Sequence, residues 1–117
     1  MIKGNIYNSR SSAGESNAPA KFEVFDELYS SGDFLIERII STGQSTPKGK
    51  WLEQERDEWV ILLDGNARLS FEGGEDVELQ KGDYIFIPAN TRHRVESTSS
   101  DPQCLWLALH GKFNSEE

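Results

Sequence analysis

Gly-Asp-Tyr-Ile-Phe-Ile-Pro-Ala-Asn-Thr-Arg-His-Arg-Val, residues 82 to 95, is the stretch that decides the fold. Tyr84 to Ile87 is a short run of β-branched and aromatic residues, which favours a strand. Pro88 ends that strand, because proline has no N–H to donate to a neighbouring strand. In the strand that follows, His93 and Val95 lie on one face, since side chains alternate along a strand. The stretch therefore predicts two short strands joined at a rigid corner, with one histidine delivered to an apolar face.

The spacing of this stretch resembles the second conserved motif of the cupin superfamily. That motif is Gly, five residues, Pro, one residue, Gly, two residues, His, three residues, Asn, and Gly82, Pro88 and His93 have its spacing. Asn90 stands at the second Gly of the motif, an exchange that keeps a positive φ accessible. Ser97 stands at the final Asn.

The first cupin motif ends in Glu, six residues and Gly, and Glu58 and Gly65 have that spacing. The resemblance covers residues 34 to 110. It implies a jelly-roll barrel with one open mouth, and it says much less about function, because one barrel hosts many chemistries.

The rest of the chain independently predicts an all-β protein. About eight to ten short strands are separated by turns, and no segment favours a helix of more than two turns, a pattern typical of an antiparallel barrel or sandwich. Phe34 to Ile40 is predicted as a strand, Trp51 to Gln54 as a short strand, and Asp64-Gly65-Asn66 as the turn of a hairpin. We expect residues 1–20 to be a flexible arm, 21–112 a single barrel domain and 113–117 a polar tail.

In a typical cupin, the first-motif Glu, the second-motif His and a His-x-His pair bind one divalent metal, and such mixed ligands suit Zn, Mn, Fe or Ni. Here the slots of the pair hold Trp51 and Glu53 if four residues intervene before Glu58, or Leu52 and Gln54 if three do, and the chain has only two histidines. If this chain binds a metal as cupins do, the resemblance therefore implies a site with more carboxylate ligands and fewer histidines than in a typical cupin. Its candidate metal ligands are Glu53, Glu58 and His93.

Three residues are candidates for binding a small molecule: Trp51, Gln54 and His110. An indole at Trp51 would stack on a sugar ring or another flat ligand near the mouth of the barrel, and the alternative is a packed barrel aromatic. His110 shares a strand face with Trp106 and Ala108, which leaves open whether it is a structural residue or a pocket residue.

Two carboxylates and an imidazole in one interior need something that neutralises them, because unpaired buried charge is expensive. A divalent metal, an arginine such as Arg38, or a proton would serve. Without a metal, we expect His93 to form a buried hydrogen bond with Glu58.

The composition narrows the partners. The 117 residues carry a formal net charge of −8, which disfavours binding to nucleic acid and to an anionic membrane surface. The single Cys104 allows no internal disulfide, and no apolar run reaches membrane-spanning length, so we expect a cytoplasmic protein. No fingerprint of a nucleotide cofactor is present.

Two functions remain open at this stage. The first is a small cupin barrel that binds a small molecule in its interior pocket, with its specific activity left open. The alternative is a divalent-metal-dependent enzyme of the dioxygenase, isomerase or decarboxylase type, acting on a small polar or sugar-like substrate.

Several strands, such as Tyr84 to Ile87, are apolar on both faces, so the outside of the barrel needs a cover. We expect a homodimer, which cupins often form.

Overall fold

The computed structural model describes residues 1–8 and 22–113. The described residues form strands and connecting loops, and none of them forms a helix long and apolar enough to cross a membrane. The strands are β1 (Val24–Ser31), β2 (Phe34–Ser41), β3 (Asp57–Asp64), β4 (Asn66–Phe71), β5 (Asp76–Gln80), β6 (Tyr84–Ile87), β7 (His93–Thr98) and β8 (Cys104–Gly111).

The strands form two antiparallel sheets that enclose the core. The larger sheet has the order β1-β2-β8-β3-β6, and the smaller has the order β5-β4-β7. The core lies between them, with Leu62, Cys104 and Ala108 of the larger sheet facing Leu69 and Leu79 of the smaller. This arrangement confirms the predicted antiparallel jelly-roll barrel.

The stretch from Gly82 to Val95 folds as predicted. Its two strands, β6 and β7, belong to different sheets, so the corner at Pro88 carries the chain from the larger sheet to the smaller. Asn90 adopts a φ of 62°, the conformation that its place in the motif requires. His93, at the start of β7, is only 6% exposed.

Two local predictions are wrong. Trp51 to Gln54 is not a strand: only Leu52 is bridged, to His93, through reciprocal backbone hydrogen bonds of 2.6 and 3.0 Å. Asp64-Gly65-Asn66 does not close a hairpin, because β3 pairs with β6 and β8 whereas β4 pairs with β5 and β7. The turn instead carries the chain from one sheet to the other.

The outside of the larger sheet carries aromatic side chains, as the two-sided strands predicted. Trp59 packs on Tyr84 with ring centroids 5.6 Å apart, and Phe86 packs on Phe113 at 6.2 Å. Tyr84 is 66% exposed and Phe86 46%. Part of this face therefore has no cover within the described chain.

The ends of the predicted domain are described only in part. Arg38 lies on the outside of the larger sheet, where its guanidinium donates to the backbone carbonyls of Asn5, Ile6 and Asn8. Residues 9–20 of the predicted arm, and residues 114–117 of the predicted tail, lie outside the described residues. Phe113, the first residue of that tail, donates its N–H to Asp57.

Candidate functional site

A cavity of about 420 Å³ opens between the two sheets. Its walls are largely apolar and come from both sheets: Ile39, Val60, Ile87 and Trp106 from the larger, Leu69 and Val95 from the smaller. These side chains reach the interior because each lies on the inward face of a strand. The cavity volume falls within the range of small-molecule pockets, which is roughly 300–1,000 Å³.

A chain of polar side chains lies along one side of the cavity. Glu58 in β3 is the register partner of His110 in β8, so both point inward. Gln54 joins them: its amide Nε2 donates to Glu58 Oε1 at 3.2 Å, and its Oε1 lies 3.3 Å from His110 Nδ1. His110 Nε2 lies 2.7 Å from Glu37 Oε2. Both ring nitrogens of His110 therefore have protein partners.

His93 faces this row of polar side chains from the smaller sheet, and one nitrogen of its ring has no hydrogen-bond partner among the described residues. Its Nδ1 lies 2.9 Å from the backbone carbonyl of Thr91. Because a carbonyl oxygen only accepts, Nδ1 carries the hydrogen, and in the neutral ring Nε2 is an acceptor. Phe71 stacks on the ring at 5.9 Å between centroids. His93 is 6% exposed and lines the cavity, and Nε2 makes no hydrogen bond to another described residue.

The environment of Glu58 makes ionisation of its carboxyl more costly than it is in water. Burial raises the pKa of the Glu58 carboxyl, and the nearby Glu37 carboxylate also raises it. Positive charge on His110, His93 or Arg56 would lower the pKa, but these effects are smaller than that of burial. Of the three neutralising groups expected from the sequence, a proton serves this carboxyl at low pH; at higher pH its charge needs a cationic partner, which no lysine or arginine lining the cavity within the described residues supplies.

The raised pKa of Glu58 predicts a pH-dependent gain in stability when the carboxyl is replaced. The folded protein keeps this proton to a higher pH than the unfolded chain, so folding is penalised as the pH rises above the ordinary glutamate pKa. A glutamine amide in its place cannot ionise and can still accept from Gln54. Glu58→Gln should therefore melt at a higher temperature than the wild type at pH 8, and the gap should close towards pH 4.

The matched control for that measurement is Glu75→Gln, at an exposed loop position. Thermal melts followed by circular dichroism across this pH range would give both differences. A Glu58→Gln protein that melts lower than the wild type at pH 8, with Glu75→Gln unchanged, would contradict the account of this carboxyl.

The other predicted site residues lie in different surroundings. Glu53 lines the rim of the cavity, with 47% of its side chain exposed and Arg92 Nε 3.8 Å away. Trp51, predicted near the mouth, is not among the residues that line the cavity; its ring lies 5.8 Å from the Arg92 guanidinium carbon.

Two predicted contacts of the interior are wrong. Arg38 binds Asp26 on the outer face and so does not neutralise the interior. The expected His93–Glu58 hydrogen bond is absent, since Nδ1 bonds Thr91 and the Glu58 partner is Gln54.

The donor set does not fit a metal site with three protein ligands. Within residues 1–8 and 22–113, no group of three or more His, Cys, Asp or Glu side chains is arranged to hold a metal ion. Both nitrogens of His110 are engaged, and Glu53 is on the exposed rim. Glu58 and His93 each keep one polar atom, Oε2 and Nε2 respectively, that makes no hydrogen bond to another described residue.

Sequence reasoning missed Glu37 as a site residue. It lies on β2 two residues before Ile39, which lines the same cavity, so strand alternation was the available signal. Glu23 and Phe25 of the first strand region also line the mouth. Around them, Phe22 and Val24 have the spacing of a strand whereas Phe25 and Leu28 have that of a helical turn, so the direction of these side chains was not predictable from the sequence.

Comparison with known proteins agrees with the fold. Residues 39–110, more than half of the chain, match the family model of the cupin domain, and the chain belongs to that family. A protein from Ralstonia eutropha JMP134, provisionally assigned as a mannose-6-phosphate isomerase, has a crystal structure that matches with a TM-score of 0.82 and 34% identity. The match covers 96% of this chain and 99% of that one.

Two further matches are more distant. An uncharacterised protein of Methanocaldococcus jannaschii is 28% identical over 83 residues, which are 71% of this chain and 64% of the relative. The chain thus spans less than two thirds of that curated protein. The polyketide cyclase RemF from Streptomyces resistomycificus matches with a TM-score of 0.70 and 21% identity, covering 94% of this chain and 78% of that one. This last likeness shows the fold alone.

Proposed function

We propose that this cupin binds a small molecule in the cavity between its two sheets. The observation that carries the proposal is the His93 ring, which is buried on the cavity wall with a nitrogen that no described residue occupies. A ring nitrogen that opens onto the cavity without a protein partner is available to accept a hydrogen bond from a ligand or a water. Apolar walls with a few convergent polar groups are the usual make-up of a ligand pocket.

A metal-dependent isomerase acting on a sugar-like substrate is the second candidate, and its support is the provisional assignment of the Ralstonia protein. Two observations weigh against it. The described residues offer no three-ligand metal set, and none of the described residues lining the cavity is a lysine or arginine that would bind a sugar phosphate. Conversion of mannose 6-phosphate by protein supplied with Zn, Mn, Fe or Ni would favour the isomerase.

Filling the cavity should abolish small-molecule binding. Val95→Phe adds an aromatic ring at a half-buried position on the cavity wall, whereas Val77→Phe adds the same ring at a half-buried position that packs against the core but does not line the cavity. Each variant should lose about 1–3 kcal/mol of stability through overpacking. Only Val95→Phe should lose the hits of a fragment screen by ligand-observed NMR.

The control compares the two phenylalanine variants with each other and with the wild type. Fragments that bind all three proteins equally would show that binding occurs outside the cavity. A screen of neutral and charged fragments that yields no hit on the wild type would contradict the proposal itself.

We also propose a homodimer through the uncovered aromatic face of the larger sheet. Tyr84 and Phe86 support it, because exposed aromatics on one face often mark a protein contact. Light scattering that gives the monomer mass at micromolar concentration would refute this assembly.

A further inference from the structure

We infer that the ligand is a small organic cation, an amine whose ammonium group binds between Glu58 and His93 and whose apolar body lies against the cavity wall. The inference rests on the proposed function and adds the chemical class of the ligand to it. Three independent features of the cavity point to this class.

The first feature is the hydrogen-bonding character of the unshared polar atoms. In the neutral His93 ring, Nδ1 donates to Thr91, so Nε2 presents a lone pair. Glu58 lies on the opposite sheet, and its ionised carboxylate also only accepts, with Gln54 as its one donor in the described chain. A ligand that bridges these two groups must therefore donate. An ammonium group supplies three N–H donors and has no lone pair that needs a partner.

The second feature is the charge around the cavity. Four glutamates line it, Glu23, Glu37, Glu53 and Glu58, and no lysine or arginine does so within residues 1–8 and 22–113. Arg92 pairs with Glu72 at 2.8 Å and lies 3.8 Å from the rim carboxylate of Glu53, and Arg94 pairs with Glu96 at 3.1 Å, so neither arginine forms an ion pair with Glu58. A cavity walled by one sign of charge concentrates ligands of the other sign.

The third feature is that Glu58 has no cationic side chain bound to it in the described chain. Its hydrogen-bond partner is a neutral amide. A buried carboxylate without a counter-charge is costly, and an ammonium at hydrogen-bond distance offsets that cost. The same carboxylate would repel an anion, so phosphate and carboxylate ligands are disfavoured.

The remaining wall sets the shape of the ligand body. Val60, Leu69, Ile87 and Val95 surround the polar pair with aliphatic surface, and the buried Trp106 adds an aromatic face. Trp106 already donates its Nε1–H to Ser41 at 3.0 Å, so it offers area rather than hydrogen bonds. A primary amine on a ring or a branched chain matches this wall.

The test uses three probes of nearly equal shape and different charge: benzylamine, benzyl alcohol and benzoate. Calorimetric titration at pH 8 should give an affinity for benzylamine at least tenfold above that for benzyl alcohol, and no measurable binding of benzoate. Glu58→Gln should lower the benzylamine affinity at least tenfold and change the benzyl alcohol affinity less than twofold. Glu75→Gln, which removes one acidic charge outside the cavity lining, should change neither.

Each other outcome is decisive. Benzyl alcohol or benzoate binding as tightly as benzylamine, in a manner that Val95→Phe abolishes, would overturn the cation while leaving the small-molecule pocket in place. Absence of benzylamine binding would also overturn the inference that the ligand is a cation. The fragment screen would then test separately whether the cavity binds any small molecule. Equal losses of benzylamine affinity in Glu58→Gln and Glu75→Gln would show that the effect comes from the overall charge of the protein. That result would overturn the contact between Glu58 and the ammonium group.

Discussion

Replacing Arg38 by methionine is expected to lower the free energy of unfolding by about 3–5 kcal/mol, the usual cost of removing one partner of a buried ion pair. Arg38 is 3% exposed on the outside of the larger sheet. Its Nε and Nη2 donate to one oxygen of Asp26, at 3.1 and 2.9 Å, while Nη1 donates to three backbone carbonyls of residues 5–8. Methionine fills much of the same space but leaves the carboxylate and the carbonyls without these donors.

The control for this substitution is Arg68→Met. Arg68 also pairs with a carboxylate, that of Glu78, but 45% of its side chain is exposed. An exposed pair contributes about 1 kcal/mol or less. Urea denaturation of both variants should give a loss several times larger for Arg38→Met. Equal losses would mean that the outer-face pair is solvated and contributes little.

Replacing Gly65 by alanine is expected to cost about 2–5 kcal/mol, the sum of a backbone cost and a packing cost. Gly65 adopts a φ of +86°, where an L residue pays about 1–2 kcal/mol. An added Cβ would also lie 2.9 Å from the Cα of Cys104 and 2.8 Å from Ser99 Oγ. Because the Cys104 contact is with backbone, relief requires β8 to move, and overpacking of this kind costs about 1–3 kcal/mol more.

Gly73→Ala separates the two contributions. Gly73 has a φ of +71°, but an added Cβ would meet nothing within 4 Å. Its loss should therefore be the backbone share alone, and the excess loss of Gly65→Ala in chemical denaturation measures the close approach of the turn to β8. A Gly65→Ala protein no less stable than Gly73→Ala would show that β8 moves away at no cost.

The fold was predictable where its signals are local. Pro88 ends a strand and Asn90 permits a positive φ because of their own covalent structure, so the corner between β6 and β7 could be recognised from the sequence. The Asp-Gly signal at Gly65 is equally local, and it correctly marks a sharp turn. Which sheet the next strand joins depends on pairing with distant segments, and for that reason the hairpin prediction failed.

The candidate site was predictable only in part, for the same reason. Motif spacing led to Glu58 and His93, and both line the cavity. The partners of Gln54 are four residues away at Glu58 and 56 residues away at His110, and no sequence pattern reports the second distance. The engagement of both His110 nitrogens depends on that long-range geometry. The spacing of the cupin metal motif could therefore not show that both His110 nitrogens are already bonded.

The most direct test of the central claim is a methyl-labelled NMR titration of the wild-type protein with the best hit of the fragment screen. Val60, Leu69 and Val95 line the cavity, whereas Ile61 and Leu107 lie on the opposite face of the larger sheet. If the cavity is the binding site, the methyl signals of the first three should shift with one saturable dissociation constant, and those of the last two should not. Saturable shifts confined to Ile61 and Leu107 would contradict the claim.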